Sequence, residues 1–169
     1  MAEKDRVFKG KIKQSGIFDF KDLYEFLFNL MDDEQYDVHE SYYREIKKAD
    51  SKNVELEWKC EKPVPGSNYF KFSISILWLL IALKKTKVKR GEQEVSMDSG
   101  TLDIFFTADL IKDPAGTWNK PLMRYFKRIY ERFIIKKRIE DYELKLFEEM
   151  NEILAEVKAF LAIEGRHSY

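Results

Sequence analysis

The clearest alternation of apolar and polar residues lies in the segment NVELEWKCEK. Val54, Leu56, Trp58 and Cys60 share one parity, and the positions between them carry charged side chains. Successive side chains of a strand point to opposite faces of its sheet, so this pattern predicts a strand with one buried face. Weaker alternations at 6–14 and 36–46 predict two further strands, with Tyr42 and Ile46 on the inward parity of the second.

A longer strand is predicted immediately after the turn PVPGSN. The even positions from Phe70 to Ala82 are apolar throughout, whereas the odd positions are polar at both ends and apolar only in the middle. This pattern indicates one face buried along its whole length and another covered only centrally. Arg90-Gly91 is a plausible turn, and the apolar residues that follow predict a long hairpin near 69–111. Because the apolar parity changes after Met97, we expect a bulge at 98–100.

Two helical regions flank these strands. Asp19 or Ser15 can cap a first helix, whose apolar face then includes Leu23 and Leu27. After Pro121, neither proline nor glycine occurs until Gly165, and the apolar spacing is helical throughout. This region is therefore one very long helix, or two helices with a bend at 137–141.

The order of elements predicts an α+β fold: a curved antiparallel sheet of five to six strands, with the N-terminal helix and the long C-terminal helix packed on its concave side. We expect one domain, 1–165, and a flexible tail, 166–169. This order resembles the helix-grip arrangement of START-like carriers of lipids and other hydrophobic ligands. A cavity between the sheet and the C-terminal helix would suit a small hydrophobic ligand. The side chains predicted to line it are Trp58, Phe72, Trp78, Phe106 and Phe126.

Composition and charge narrow the classes of function. The chain carries 30 basic and 30 acidic residues, so its net charge is zero and a globally basic nucleic-acid binder is not indicated. The abundance of Lys and Glu is typical of thermophile proteins. Eight consecutive apolar residues, 76–83, are too few for a transmembrane helix, which needs about 20. The single cysteine and a charged N-terminal segment without an apolar signal region lead us to expect a cytoplasmic protein.

Candidate chemistry is sparse. His39 falls on the polar parity of its strand and has no second histidine nearby in the sequence, so a metal site is not predicted. Cys60 is expected to be a buried, inert side chain. We find no phosphate-binding loop, dinucleotide-binding glycine pattern, HExxH or GxSxG motif. No catalytic residue and no cofactor are predicted, and an enzyme is the least favoured class.

Basic residues cluster in two places, near the hairpin turn and in the first half of the C-terminal helix. Segment 120–138 holds eight basic residues and one acid, whereas 139–160 holds seven acids and two lysines. Three interpretations of this helix are open. It is a solvated surface, or its basic half docks on nucleic acid, an anionic membrane or an acidic partner. In the third, its basic and acidic halves pair antiparallel, within the chain or across a homodimer. The candidate basic-patch residues are Lys84, Lys85, Lys87, Arg124, Lys127, Arg128 and Arg132.

The central odd positions of the long strand supply the last candidate surface. If no part of the chain covers them, they form an exposed apolar patch of the kind that marks partner or ligand contacts. The candidate interface residues are Leu77, Leu79, Ile81, Leu83 and Phe105. Three hypotheses therefore remain: a non-enzymatic module that binds a hydrophobic ligand, a homo-oligomeric assembly protein, and a binder of nucleic acid or an anionic surface. The first two are favoured at this point.

Overall fold

The computed structural model describes residues 2–166 and places five strands in one open antiparallel sheet, which confirms the predicted α+β class. The order across the sheet is β1-β5-β4-β3-β2. The strands are β1 (Glu3–Phe18), β2 (Asp37–Lys47), β3 (Lys52–Pro63), β4 (Phe70–Arg90) and β5 (Gln93–Lys112); the helices are α1 (Phe20–Asp33), α2 (Pro121–Ile129) and α3 (Lys136–Arg166). A π-helical turn, Tyr130–Ile134, joins α2 to α3.

One face of the sheet carries the hydrophobic core. The strand register aligns Leu56 of β3, Trp78 of β4 and Ile104 of β5 in a single row. All three side chains are almost completely buried, as the alternating sequence pattern predicts. Helices α1 and α3 cover this inner face with the buried residues Leu23, Leu27, Met31, Leu146, Met150, Ile153, Val157 and Leu161.

Helix α1 connects the two edges of the sheet. Of the two predicted caps, Asp19 is the one used: its side chain accepts a hydrogen bond from the Asp22 amide at 3.0 Å. The helix follows β1 at one edge and leads to β2 at the other, so it crosses the inner face between them. Its leucines at 23 and 27 lie one turn apart and both point into the core.

The predicted bulge at 98–100 lies in the partner strand instead. At 98–100, β5 pairs with β1 in regular register, whereas two residues of β4, Ala82 and Leu83, stand opposite Gly100. Ala82 has a φ of 54°. One extra residue reverses the parity of a strand. Leu83, predicted on the outward surface, therefore turns inward and is only 4% exposed.

Gly100 is required by this bulge. A Cβ atom added there would lie 2.9 Å from the carbonyl oxygen of Ile81 and 3.2 Å from that of Ala82. Because both are backbone atoms of the bulge, we expect Gly100→Ala to lower the free energy of unfolding by about 1–3 kcal/mol. Urea unfolding measures the change, and the neighbouring Ser99→Ala is the matched control, expected within about 0.5 kcal/mol of wild type. Equal stabilities of the two variants would contradict the assignment.

The inward parity predicted for β2 holds only in its first half. Val38 pairs with Cys60, but the register shifts between Glu40 and Tyr42. Beyond that shift Tyr42 lies on the outer face, and it and Ile46 are 42% and 41% exposed. The prediction of a regular strand was wrong because a bulge leaves no mark in an apolar pattern this weak.

The C-terminal helical region is divided at Ile135, shortly before the predicted bend at 137–141. The Ile135 amide donates to the Tyr130 carbonyl at 3.0 Å, a spacing of five residues, and the Ile135 side chain is buried.

No helix among residues 2–166 has the length and apolarity that a membrane span requires. Arg166 ends α3, and positions 167–169 of the predicted tail lie outside the described residues.

Candidate functional site

Four of the five predicted cavity residues lie together in the core. Trp58, Phe72, Trp78 and Phe106 are each at most 1% exposed, and the rings of the two tryptophans are 5.2 Å apart. Phe126 is not part of this group, because it lies on α2 and is 50% exposed. Five surface pockets formed by described residues have volumes of 340–640 Å³, and none of these five is lined by the four core aromatics. A ligand cavity stays a prediction.

The outer face of the sheet carries the remaining candidate interface residues. Leu77 pairs with Phe105, and both helices that cover the sheet pack on its other face. Ile81 is 46% exposed, whereas Leu77, Leu79 and Phe105 are half-buried. The ammonium of Lys11 lies 4.8 Å from the centre of the Phe105 ring. The patch is therefore a narrow apolar strip with charged neighbours.

The basic residues of the hairpin form a separate surface. Residues 86–90 pair with 93–97 beyond the ends of β1 and β3, so the hairpin extends from the sheet as a two-stranded arm. Lys85 pairs with Asp98 at 2.8 Å and Lys87 with Glu94 at 3.7 Å. The other end of β4, where Phe70 pairs with Lys112, is about 65 Å from Arg90 when measured along the strand at 3.3 Å per residue. The structure does not bring the two basic clusters together.

Helix α2 is oriented opposite to an ordinary amphipathic helix: its charged side faces the protein and its apolar side faces outward. Its one buried residue is Lys127, whose side chain is 7% exposed and faces Glu3 and Glu131 at 3.7 and 4.0 Å. The large apolar side chains point the other way. They form what we call the apolar stripe, with exposed fractions of 67% for Leu122, 64% for Tyr125, 50% for Phe126, 38% for Ile129 and 73% for Phe133.

A charged cluster beneath the helix explains this orientation. Lys112, at the end of β5, contacts Asp5 at 2.9 Å and Glu131 at 3.7 Å. Burial lowers the pKa of Lys112, but the hydrogen bond and charge of Asp5 raise it more, so its pKa lies above the ordinary value. The Tyr69 hydroxyl donates to Glu131. The pKa of Tyr69 is raised, mainly by burial and to a smaller extent by the Glu131 carboxylate.

Three arginines run along one side of the stripe. Arg124, Arg128 and Arg132 are four residues apart, so they lie in a row along the helical surface, which we call the arginine row. All three are exposed, and none has a carboxylate of residues 2–166 within ion-pair distance. Arg124 donates from Nε to the Asn119 carbonyl at 3.0 Å. Their charge is therefore available to an external anion.

The sequence indicated this site only in part. It predicted the basic patch that contains the arginine row, but it placed Phe126 in an internal cavity and Lys127 in the basic patch, whereas Phe126 faces outward and Lys127 inward. The helical apolar spacing after Pro121 was taken to indicate a helix packed on the sheet, so the outward orientation of Leu122, Ile129 and Phe133 was not predicted. The signal that could have revealed them is the pair Lys127 and Glu131, one turn apart on the opposite face.

The structure places the two side chains that the sequence analysis considered for chemistry, His39 and Cys60. His39 is exposed, and no group of three or more metal-ligating side chains occurs among residues 2–166. Burial raises the pKa of the Cys60 thiol to about 12, so it stays protonated and unreactive at neutral pH.

Comparison of the chain with protein-family models, with curated proteins and with solved structures finds no match.

Proposed function

We propose that the protein is a non-enzymatic binding module that attaches to an anionic lipid bilayer through the apolar stripe and the arginine row, which run along α2 and the π-helical turn that follows it. The observation that carries this proposal is the reversed polarity of the helix: its charged side is buried against the sheet, and its aromatic side faces outward. Helices that lie in a membrane interface combine an apolar face rich in Phe and Leu with flanking basic residues.

Both parts of the surface contribute to binding. Full burial of one large apolar side chain is worth about 1.5–3 kcal/mol, so partial insertion of several stripe residues supplies most of the affinity. Each arginine near an anionic surface adds about 1 kcal/mol. The cytoplasmic leaflet carries the anionic lipids that such a row requires, which agrees with the cytoplasmic location expected from a single, reduced cysteine.

Vesicle binding tests the proposal directly. We expect the protein to sediment with vesicles that contain phosphatidylserine and much less with pure phosphatidylcholine. The triple variant Arg124→Gln, Arg128→Gln, Arg132→Gln loses about 3 kcal/mol of attraction, so its partition coefficient should fall roughly 100-fold. Binding should also weaken as salt concentration rises.

The matched control removes the same charge at the other end of the sheet. The triple variant Lys84→Gln, Lys87→Gln, Lys89→Gln changes three exposed lysines on the hairpin arm and at its base and should leave vesicle binding close to that of wild type. An equal loss in both triple variants would show a general charge effect and contradict a specific role for α2. Binding of wild type to neither type of vesicle would reject the proposal.

Charge distribution favours a homodimer as the second candidate. The basic segment 120–138 and the acidic segment 139–160 are complementary, and an isologous contact could pair them between two copies. In that case wild type should sediment as a dimer at micromolar concentration without lipid, and Arg124→Glu with Arg128→Glu should convert it to a monomer by placing acidic residues opposite the acidic segment. A monomeric wild type would exclude this candidate.

A further inference from the structure

A pocket opens beside the arginine row, between α2, the start of β1 and the loop before α2. Its volume is about 340 Å³, and its lining includes Trp118, Asn119, Arg124, Lys127 and Arg128. This volume suits a small ligand. Glu3 and Glu131 complete the wall nearest the sheet.

Lys127 lines this pocket, and its ammonium group has no hydrogen-bond partner among residues 2–166. Its ammonium group has three N–H donors, yet the nearest carboxylate oxygens of described residues, on Glu3 and Glu131, are 3.7 and 4.0 Å away. Its side chain is only 7% exposed. An enclosed ammonium that makes only these two long ion pairs would gain from a closer acceptor, so an acceptor from a ligand would stabilise it.

The two carboxylates near Lys127 are already engaged. Glu131 accepts from the Tyr69 hydroxyl and lies 3.7 Å from Lys112, and Glu3 lies 3.5 Å from the same lysine. Glu3 is also 54% exposed at its side chain and can turn towards solvent. The charges of Arg124 and Arg128 at the rim have no such compensation, so the pocket retains an excess of positive charge.

Trp118 gives the pocket a rigid side. The carboxylate of Asp113, itself 2% exposed, accepts from the amides of Thr117 and Trp118 at 2.8 and 3.0 Å. The indole ring stacks on Tyr130 with centroids 5.4 Å apart and an interplanar angle of 17°. The wall is thus fixed before any ligand arrives, which lowers the entropic cost of binding.

We propose that this pocket binds a phosphate monoester, presented by the headgroup of a lipid in the membrane on which the stripe lies; this inference rests on the proposed function. A monoester carries roughly −1.5 to −2 charges at neutral pH and three acceptor oxygens. Lys127 supplies a buried point charge, and guanidinium groups bind two phosphate oxygens at once. Arg128 belongs to both the pocket and the arginine row, so it connects the headgroup site to the bilayer surface.

The experiment compares vesicles of matched surface potential that contain either phosphatidic acid, a monoester, or phosphatidylglycerol, a diester. Loss of a charge-assisted hydrogen bond costs about 1.5–3 kcal/mol, so wild type should prefer phosphatidic acid by roughly tenfold or more. Lys127→Met and, separately, the exposed Arg128→Gln should abolish the preference. Arg132→Gln, outside the pocket, should weaken binding to both lipids equally and keep the preference.

Calorimetry with glycerol 3-phosphate tests the pocket without a membrane. If glycerol 3-phosphate binds to wild type, and Lys127→Met or Arg128→Gln weakens that binding, the phosphate site is supported. If no vesicle is bound in the same case, the source of the phosphate is a free ester and not a lipid. Vesicle binding without a preference between the two lipids, and without affinity for glycerol 3-phosphate, overturns the inference while the proposed function stands. Lys127→Met alters a buried side chain and could impair folding. Arg128→Gln alters an exposed side chain of the same pocket, so it tests the site without that defect.

Discussion

Trp78→Ala is expected to lower the free energy of unfolding by about 3–5 kcal/mol. The Trp78 side chain is 0% exposed, and its ring lies 5.2 Å from that of Trp58, 5.9 Å from Phe20 and 6.2 Å from Tyr24. Its indole N–H has no hydrogen-bond partner among the described residues, so the loss comes from packing and from the cavity that the truncation leaves. Neighbours held by the sheet cannot collapse far enough to fill that space.

Urea unfolding of Trp78→Ala, with the exposed stripe variant Phe133→Ala as control, measures this effect. Phe133 is 73% exposed, so its truncation should change stability by no more than about 0.5 kcal/mol. A loss below about 1 kcal/mol at Trp78 would contradict the packed core, because removal of a side chain that borders an existing cavity costs little. That result would favour the predicted hydrophobic-ligand site.

Lys62→Met is expected to cost about 3–5 kcal/mol at pH 7, because it leaves buried carboxylates without their cation. Lys62 forms an ion pair with Glu149 of α3, and the two side chains are 13% and 11% exposed. Its ammonium also donates to the backbone carbonyl of Glu34 at 3.0 Å and lies 4.3 Å from the centre of the Tyr36 ring. The Tyr36 hydroxyl donates to Glu149 at 3.0 Å. The cluster joins α1, β3 and α3.

The deficit of Lys62→Met should shrink at acidic pH. Burial and the Glu149 carboxylate raise the pKa of Glu34, whereas Lys62 lowers it, so loss of the lysine raises that pKa further. A carboxyl whose pKa is higher in the folded than in the unfolded protein favours folding at low pH, and this contribution disappears as pH rises through the folded value. The variant should therefore lie closer to wild type at pH 5 than at pH 7.

Urea unfolding at both pH values tests this second prediction. Lys21→Met is the control, since Lys21 and Glu25 form an exposed pair 3.8 Å apart with side chains 81% and 59% exposed. Its stability should change by no more than about 0.5 kcal/mol at either pH. A deficit of Lys62→Met that is the same at pH 5 and pH 7 would show that the carboxylates are not the source of the cost.

The amino-acid pattern is informative wherever one face of an element is buried and the backbone is regular. The parity of Val54, Leu56, Trp58 and Cys60 predicted β3 and its inward face, and all four are buried. Asp19 was one of the two predicted caps of α1, because a short polar side chain just before an apolar helix is a typical N-cap. Local rules of this kind are enough to define the order of elements and the α+β class.

The orientation of α2 and the bulge in β4 required the tertiary structure. A helical period shows that α2 has an apolar and a charged side, but not which side the sheet accepts. That choice depends on Glu3 and Lys112, which surround the buried face of α2 from β1 and β5, far away in the sequence. Likewise, Leu83 turns inward because of the strand pairing opposite Gly100. Long-range contacts, which no local pattern encodes, therefore decided where the exposed apolar stripe lies.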